Sequence, residues 1–298
     1  EALGVGEEKV RVSVGDLGGA FGARIVPYPE DAALLCAARQ LGRSVKWQAD
    51  RSEQFLSDTH ARDHLTDCTL ATDLDGRILA ARFDVLANMG AHLSYFGANI
   101  ATHTGNRVAT GVYDIPLLHV NVKAVLTNTV PTGPYRGAGR PEAIYRLERV
   151  LDVAASELAI DPVEIRRRNL VRPGSMPYTT ASGATYDSGD FGALMDRALV
   201  LSDADGLAAR RDDARRRGML LGRGIACHVD TTSSMVPSET VEVAFTRNGL
   251  VEIYCGVQAM GQGLETTFSQ MASTRLGVPI DAVQVFQGDT SVVTTKGQ

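Results

Sequence analysis

The stretch Tyr135-Arg136-Gly137-Ala138-Gly139-Arg140-Pro141-Glu142 places two arginines and three small residues directly before a long amphipathic segment. Because proline restricts φ and suits the first helical turn, we predict that a helix starts at Pro141 and runs through Leu158. The preceding loop would then present guanidinium and backbone N–H groups at a helix N-terminus, which favours an anion. An ordinary glycine-rich start of a helix explains this octapeptide equally well, so the rest of the chain has to decide.

Two further glycine-rich loops each follow a run of strand-forming residues. The β-branched residues 10–14 lead into the loop 15–22, and the predicted strand 251–256 leads into the segment 258–267, where a helix over 264–276 is predicted. The first loop lacks the glycine spacing of a dinucleotide-binding fingerprint and the lysine of a P-loop. Three such junctions of strand, glycine loop and helix indicate a large, polar, phosphate-bearing ligand.

The composition is that of a globular protein. The chain has 298 residues, 44% of them apolar and 22% charged, which is enough for about two domains. A formal net charge of −5 argues against nucleic acid as the main partner, and no apolar run reaches the length of a membrane span. The arginine clusters 166–168 and 215–217 are interpreted as solvated helix faces. Asp212 and Asp213 each precede an arginine by four residues, which predicts favourable ion pairs.

The cysteines and histidines provide no metal-binding pattern. The four cysteines are scattered without a C-x-x-C spacing, so we predict no iron–sulfur cluster held by this chain itself. Cys36 and Cys255 lie in apolar runs and are predicted to be buried as small hydrophobic residues. A reducing cytoplasm is the simplest compartment. His60 and His64 stand four residues apart, but their surroundings predict a loop that enters a strand, which would separate the two rings.

The remaining periodicity predicts a mixed fold of the α+β class with substantial antiparallel pairing. The predicted strands include residues 44–47, 65–72, 77–87, 118–126, 224–229, 241–246 and 251–254, and further predicted helices cover residues 29–41 and a segment capped by Asp161. The turn 73–76 predicts a hairpin. A boundary is expected near residues 218–222, between a first domain over 1–218 and the beginning of a second over 219–298.

Several short motifs, by their order and number, resemble one enzyme family along nearly the whole chain. They are residues 18–22, 45–47 with 50–53, 60–63, 88–91, 135–142, 177–178 with 186–189, 261–263 and 288–290. The family comprises the molybdenum-binding large subunits of xanthine dehydrogenase, aldehyde oxidase and aerobic carbon monoxide dehydrogenase. Its members are much longer. The chain, which opens on Glu1-Ala2-Leu3 and stops at Lys296-Gly297-Gln298, is therefore expected to be an internal piece of such a subunit.

This resemblance implies that the three glycine loops wrap a molybdopterin, in bacteria often in its cytosine dinucleotide form. The positions expected to bind the cofactor are Gly18, Gly19, Phe21, Gly22, Arg136, Gly137, Ala138, Gln258, Gly261, Gln262, Gly263 and Thr266. A pyranopterin needs many hydrogen-bond partners, and a pyrophosphate suits glycine N–H groups and helix N-termini. In relatives, the residue at the place of Phe21 lies beside the metal, and no side chain of this chain is expected to bind molybdenum directly.

The implied reaction is oxidation of a carbon centre with oxygen from water, with electrons leaving through [2Fe-2S] clusters and FAD on partner subunits. The implied base is a glutamate expected beyond Gln298, so the catalytic role is assigned neither to Glu142 nor to Glu265. Carbon monoxide oxidisers carry a copper-binding cysteine at the place of Gly137, which offers no thiolate. We therefore expect a hydroxylase acting on an aldehyde, an N-heteroaromatic compound or a related carbon centre.

Two alternatives stay open at this point. One is a non-catalytic or incomplete half-subunit that folds and assembles but needs other segments for metal and activity. The other is a nucleotide-binding enzyme without molybdenum, which should show a Walker-type lysine or an acidic ribose ligand, and neither is visible. The partners implied by the resemblance are an iron–sulfur subunit, an FAD subunit and a small-molecule substrate, without nucleic acid or membrane, in an oligomer of heterotrimers.

Overall fold

The computed structural model describes residues 4–231 and 238–293. Both ends of the chain, Glu1-Ala2-Leu3 and Lys296-Gly297-Gln298, lie outside these ranges. In the part of the chain that the structure describes, no helix is both long and apolar enough to cross a membrane.

The chain divides into two compact units. The larger consists of residues 51–230, and the smaller combines residues 1–50 with 231–298. The residues of the predicted first domain, 1–218, are thus distributed over both units. The predicted boundary near residues 218–222 stays a prediction.

Both units contain helices and strands, as the α+β prediction requires. The helices are α1 (Pro29–Leu41), α2 (Arg51–Ser57), α3 (Gly97–Asn99), α4 (Arg140–Glu157), α5 (Pro162–Asn169), α6 (Phe191–Leu201), α7 (Leu207–Arg216) and α8 (Leu264–Leu276). The strands are β1 (His64–Thr72), β2 (Ile78–Gly90), β3 (Leu118–Leu126), β4 (Tyr178–Thr179), β5 (Thr185–Tyr186), β6 (Val241–Phe245), β7 (Val251–Cys255) and β8 (Val283–Phe286). A π-helical turn, Ile100–Thr104, follows α3.

The larger unit is built on a mixed sheet with the strand order β1, β2, β3. β1 and β2 are antiparallel and are joined by the predicted turn 73–76, whereas β2 and β3 run parallel. Alternate side chains of β2 point to one face of the sheet, and that face packs with the apolar stripe of α4. The shared core includes Phe83, Val85, Ala87, Leu147 and Leu151. This packing fixes the direction in which the N-terminus of α4 leaves the sheet.

A buried ion-pair network joins α4 to α5. Arg166 has no exposed side-chain surface, and its guanidinium donates to Glu148 Oε2 at 2.8 Å and to Asp152 Oδ1 at 2.9 Å. The hydroxyl of Tyr113 donates to the other carboxylate oxygen of Glu148 at 2.6 Å. Burial, reinforced by the charge of Glu148, raises the pKa of Tyr113 well above its ordinary value. The network therefore holds the two helices together through charges that are fully paired.

The smaller unit contains a second three-stranded sheet, in the order β6, β7, β8. β6 is antiparallel and β8 is parallel to the central strand β7. Val251, Ile253 and Val283 form its small buried core, and Phe268 and Ala272 of α8 pack against them. Helix α8 is therefore held on the sheet by one narrow apolar stripe.

The helix signals in the sequence were reliable. α4 begins and ends within one residue of the predicted bounds, and α1 and α8 have the bounds predicted for them. Asp161 caps α5 as predicted, since its carboxylate accepts hydrogen bonds from the N–H groups of Val163 and Glu164.

Three predicted strands are wrong. Residues 10–14 contribute only an isolated bridge between Ser13 and Asp289, and residues 44–47 and 224–229 form no strand. A run of β-branched residues suits a strand, but it does not show whether a partner strand lies within reach.

Predictions for single side chains were mixed. The solvated face predicted for 166–168 is wrong at Arg166, whose side chain is fully buried. Cys255 is buried as predicted, but Cys36 is exposed, because it lies on a face of α1 that meets no core. On α7, Asp213 pairs with Arg217 at 2.8 Å, as the spacing of four predicts. Asp212 instead contacts the arginine three residues further on, at 3.4 Å. Both spacings place the two charges on one side of a helix.

Replacing Glu148 with glutamine would remove the charge opposite a fully buried guanidinium. We expect the free energy of unfolding to fall by about 3–5 kcal/mol, because the buried cation Arg166 would keep only the partly exposed carboxylate of Asp152 as a charged partner. Urea denaturation followed by circular dichroism measures this change. Glu157→Gln, at an exposed position near the end of the same helix, is the control. A loss below about 1 kcal/mol, typical of a surface pair, would contradict the role given to Glu148.

Candidate cofactor-binding site

Three consecutive residues before α4 adopt left-handed backbone conformations. The angle φ is +92° at Gly137, +43° at Ala138 and +91° at Gly139. Two tight turns result, closed by hydrogen bonds from Ala138 N to Tyr135 O at 2.7 Å and from Arg140 N to Gly137 O at 3.1 Å. Glycine suits two of these positions because other residues rarely adopt such angles. We call residues 135–139 the Arg136 loop.

The Arg136 loop lies in backbone contact with the π-helical turn. A Cβ atom on Gly139 would lie 2.3 Å from the carbonyl oxygen of Ile100, and one on Gly105 would lie 2.5 Å from Gly139 O. The same Ile100 oxygen accepts a hydrogen bond from Gly105 N at 3.4 Å, which closes the π-helical turn. Such turns are rare and are frequently found at functional sites. The contact therefore requires glycine on both sides.

At the start of α4, three backbone donors have no acceptor among residues 4–231 and 238–293. The N–H groups of Gly137, Gly139 and Glu142 make no hydrogen bond with any described residue. These groups lie at the positive end of the helix dipole. Arg136 is exposed beside them, whereas Arg140 is engaged in an ion pair of its own. This arrangement suits an anionic group such as a phosphate.

The glycine loop near the start of the chain, residues 15–22, belongs to the smaller unit. Gly19, Phe21 and Gly22 have φ of +113°, +53° and +100°. A Cβ atom on Gly19 would lie 2.7 Å from the ring of Phe21, while one on Gly18 would meet nothing within 4 Å. The side chain of Phe21 is half-exposed, at 50%. The loop thus offers an open backbone edge next to one aromatic ring.

In the third loop, before α8, the side chain of Gln262 makes hydrogen bonds within its own loop. Gln262 Nε2 donates to Gln258 O at 3.1 Å, and Gln262 Oε1 accepts a hydrogen bond from Met260 N. Gly261 and Gly263 have φ of +94° and +75°. Binding of a cofactor by the Gln262 side chain would therefore require these bonds within the loop to break.

Thr266 lines a separate cavity of about 550 Å³ between α8 and β8. Glu265 and Asp281 contribute carboxylates to the same lining. Two carboxylates disfavour a phosphate there, so the role of Thr266 as a cofactor ligand stays a prediction.

The predicted site residues thus occupy three loops. Gly18, Gly19, Phe21 and Gly22 share the first loop, Arg136, Gly137 and Ala138 share the second, and Gln258, Gly261, Gln262, Gly263 and Thr266 lie along the third. The first and third belong to the smaller unit and the second belongs to the larger unit. Their joint contact with one cofactor stays a prediction.

Arg62 lies in the motif 60–63, but the sequence predicted no role in the site for it. Its guanidinium donates a hydrogen bond to the carbonyl of Arg136, 74 positions away, and lies 5.0 Å from the centre of the Tyr135 ring. Arg62 has φ of +67°, which is uncommon for a residue other than glycine. No sequence pattern signals either the conformation or the contact, because both depend on tertiary structure.

A cleft of about 740 Å³ between β1 and α4 was not predicted either. Its lining includes Arg62, His64, Cys68, Glu142 and Arg146. Burial lowers the pKa of His64, and it lowers the pKa of Arg146 to about 10. Because Arg62 both lines this cleft and contacts the Arg136 loop, the cleft lies behind that loop.

His60 and His64 are placed as predicted. His60 forms an isolated bridge with Thr132, and His64 is the first residue of β1. Over residues 4–231 and 238–293, no group of three or more His, Cys, Asp or Glu side chains is arranged to hold a metal ion.

Comparison with known proteins identifies the family. Two family models, both described as molybdopterin cofactor-binding domains, match residues 1–170 and 197–298. The chain therefore belongs to the molybdopterin-binding family that includes the large subunits of xanthine dehydrogenase and carbon monoxide dehydrogenase. The α+β class and the family resemblance drawn from the sequence are confirmed.

Over the aligned regions, individual relatives are identical to this chain at about a third of the positions. It is 36% identical to the carbon monoxide dehydrogenase large chain of Hydrogenophaga pseudoflava, over 97% of this chain and 38% of that protein. It is 32% identical to the nicotine 6-hydroxylase large subunit of Paenarthrobacter nicotinovorans, over 99% and 37%. The structure of quinoline 2-oxidoreductase from Pseudomonas putida 86 matches with a TM-score of 0.87 and 33% identity, over 98% and 38%. The chain spans about 38% of the length of these relatives.

The residues present fit a molybdopterin. The unpaired N–H groups at the start of α4 are suited to the phosphate of such a cofactor. A Cβ atom on Gly18, Gly261 or Gly263 would meet nothing within 4 Å, so the backbone at these glycines is open to a ligand.

Replacing Gly139 with alanine tests the steric requirement at the start of α4. We expect the free energy of unfolding to fall by about 1–3 kcal/mol, because φ is +91° and the new Cβ atom would overlap with Ile100 O. Urea denaturation measures the change. Gly174→Ala is the matched control, since its Cβ atom would meet nothing within 4 Å and the change should raise stability by at most about 1 kcal/mol. Equal stability of the two variants would contradict the close backbone contact.

Proposed function

We propose that this chain is the cofactor-binding part of a molybdenum hydroxylase. The enzyme would oxidise a carbon centre with oxygen from water and pass electrons to iron–sulfur and FAD partners. The observation that carries the proposal is the start of α4, in a chain of the molybdopterin-binding family. There, three neighbouring N–H groups have no acceptor among the described residues, and Arg136 is exposed. When bound, the cofactor would supply the redox step.

The chain's own residues would hold the anionic part of the cofactor. The N–H groups of Gly137, Gly139 and Glu142 would donate to phosphate oxygens, and Arg136 would supply a positive charge. The cytosine dinucleotide form is favoured because its pyrophosphate offers more acceptors than a single phosphate does. Gln258 and Gln262 provide amide groups suited to a pterin, once the Gln262 side chain leaves its own loop.

The substrate proposed is an aldehyde, an N-heteroaromatic compound or a related carbon centre rather than carbon monoxide. Gly137 provides no thiolate for copper. A side chain at this position would also be strained, because φ is +92° and a Cβ atom would lie 2.5 Å from the Pro141 ring. Two of the relatives are named for nicotine and quinoline, which are N-heteroaromatic compounds.

No residue of the chain is proposed as the catalytic base. Glu142 Oε2 lies 4.0 Å from the Arg62 guanidinium behind the Arg136 loop, and Glu265 lines the cavity between α8 and β8. Neither environment is that of a base facing a substrate. We therefore propose that further residues surround the reacting carbon, including the glutamate base that the resemblance leads us to expect.

The proposed partners are an iron–sulfur subunit and an FAD subunit, in an oligomer of heterotrimers in the cytoplasm. The scattered cysteines support partners for electron transfer, because they show no spacing for a cluster. The names of relatives, a large chain and a complex subunit, support a multi-subunit enzyme. The two domains proposed at residues 1–218 and 219–298 would each bind part of the cofactor.

Molybdenum and nucleotide content test the proposal. The protein, with any subunits that copurify, would be purified from a host that makes molybdopterin cytosine dinucleotide. We expect near-stoichiometric molybdenum by elemental mass spectrometry and release of cytidine monophosphate on acid hydrolysis. Arg136→Met should lower the affinity for the cofactor by about tenfold or more, because a charged hydrogen-bond donor is lost.

Arg197→Met, at an exposed position on α6, is the matched control and should keep its molybdenum. Folded protein without molybdenum would contradict the proposal for this chain and favour a half-subunit that assembles without the metal. Molybdenum without any cytosine nucleotide would contradict only the dinucleotide form.

A further inference from the structure

We propose that Arg62 is a positioning residue that orients the peptide between Arg136 and Gly137 for cofactor binding. This inference rests on the proposed function, because it gives the Arg136 loop its role. It adds a residue that lies outside the glycine loops and acts on the backbone of one of them.

The first contact sets the direction of one peptide group. The Nη2 atom of Arg62 donates to the carbonyl oxygen of Arg136. A trans peptide is planar, and its C=O and N–H groups point in opposite directions. Holding this oxygen on the side of Arg62 therefore turns the N–H of Gly137 to the other side. That N–H makes no hydrogen bond with any described residue, so it is directed towards a ligand.

The peptide between Arg136 and Gly137 needs the hydrogen bond from Arg62 as a restraint, because one of its two residues is glycine. A flip of the peptide requires changes in ψ of Arg136 and φ of Gly137, and glycine tolerates both signs of φ. A flipped peptide would present a carbonyl oxygen where the N–H now lies. An oxygen at that place would repel an anionic cofactor.

Two further contacts place the Arg62 guanidinium against both ends of the loop. On one side it lies 5.0 Å from the centre of the Tyr135 ring. On the other side Nε lies 4.0 Å from Glu142 Oε2, in a carboxylate whose side chain is only 9% exposed. This oxygen accepts no hydrogen bond from the described residues, and the carboxylate relies on the nearby charges of Arg62 and Arg146. Arg62 thus links the first residue of the loop to the first turn of α4.

The backbone around Arg62 is held on both sides. His60 N donates to Pro131 O at 3.1 Å, and the Asn88 side chain donates to Asp63 Oδ2 at 2.7 Å. Arg62 lies between these anchors with φ of +67°. A backbone conformation in this sparsely populated region persists only when the surrounding contacts hold it in place. Residues with such conformations cluster at functional sites.

The test combines proteolysis of the cofactor-free protein with cofactor loading. Trypsin cleaves after Arg136, whereas the bond after Arg140 is resistant because Pro141 follows. In protein from a host that makes no molybdopterin, Arg62→Met should be cleaved after Arg136 at least about tenfold faster than the unaltered protein. In a host that makes the cofactor, the same variant should retain at most about a tenth of the molybdenum.

Two variants separate positioning from loss of stability. Arg62→Met combined with Glu142→Gln removes the buried unpaired carboxylate and should fold even if the single variant does not. It should still be cleaved faster and lose molybdenum. Arg62→Lys keeps a charge and an N–H donor, and it should restore slow cleavage and most of the molybdenum. Arg77→Met is the matched control, because Arg77 also donates to a carbonyl, that of Arg168, but away from the loop.

The outcomes distinguish this inference from the proposed function. Unaltered protein without molybdenum would count against the proposed function, while the cleavage rates would still test the restraint by Arg62. Full molybdenum content in the folded Arg62→Met variant, or cleavage no faster than in Arg77→Met, would overturn the inference. Failure of Arg62→Lys to improve on Arg62→Met would also overturn it.

Discussion

The close approach of Gly139 to the carbonyl of Ile100 is the contact on which the candidate site depends. It allows two backbones to meet where any side chain would overlap. The three left-handed residues that follow from this geometry turn the chain sharply into α4. The N–H groups of Gly137, Gly139 and Glu142, at the entry to that helix, have no acceptor among the described residues. A steric constraint thus produces an electrostatic feature, an anion site made from backbone.

The rest of the larger unit keeps this geometry in place. α4 is fixed along its length by the apolar face of β2 and near its middle by the ion pair between Glu148 and Arg166. Its N-terminus is fixed by Arg62 and by the contact with the π-helical turn. Burying these charges brings little net stability, but leaving one of them without its partner would be costly. A pre-organised loop loses less conformational entropy when a ligand binds.

Sequence reasoning succeeded where the signal is local and failed where it depends on a distant partner. Pro141 and the Asp161 cap fixed helix starts because both act within one turn. Residues 44–47 carry strand-forming side chains but find no partner strand, which no local pattern reveals. The same limit applies within the site. The glycines of the Arg136 loop stand in one short stretch that carries the family resemblance, but Arg62 reaches this loop only through the fold.

Hydrogen–deuterium exchange at the backbone amides tests the central claim most directly. The protein would be prepared from two hosts, one that makes the molybdenum cofactor and one that does not, and compared by mass spectrometry. If the N–H groups at the start of α4 bind the cofactor, peptides covering residues 135–142 should exchange more slowly in the cofactor-loaded protein. Unchanged exchange in these peptides, with protection elsewhere in the chain, would contradict the account.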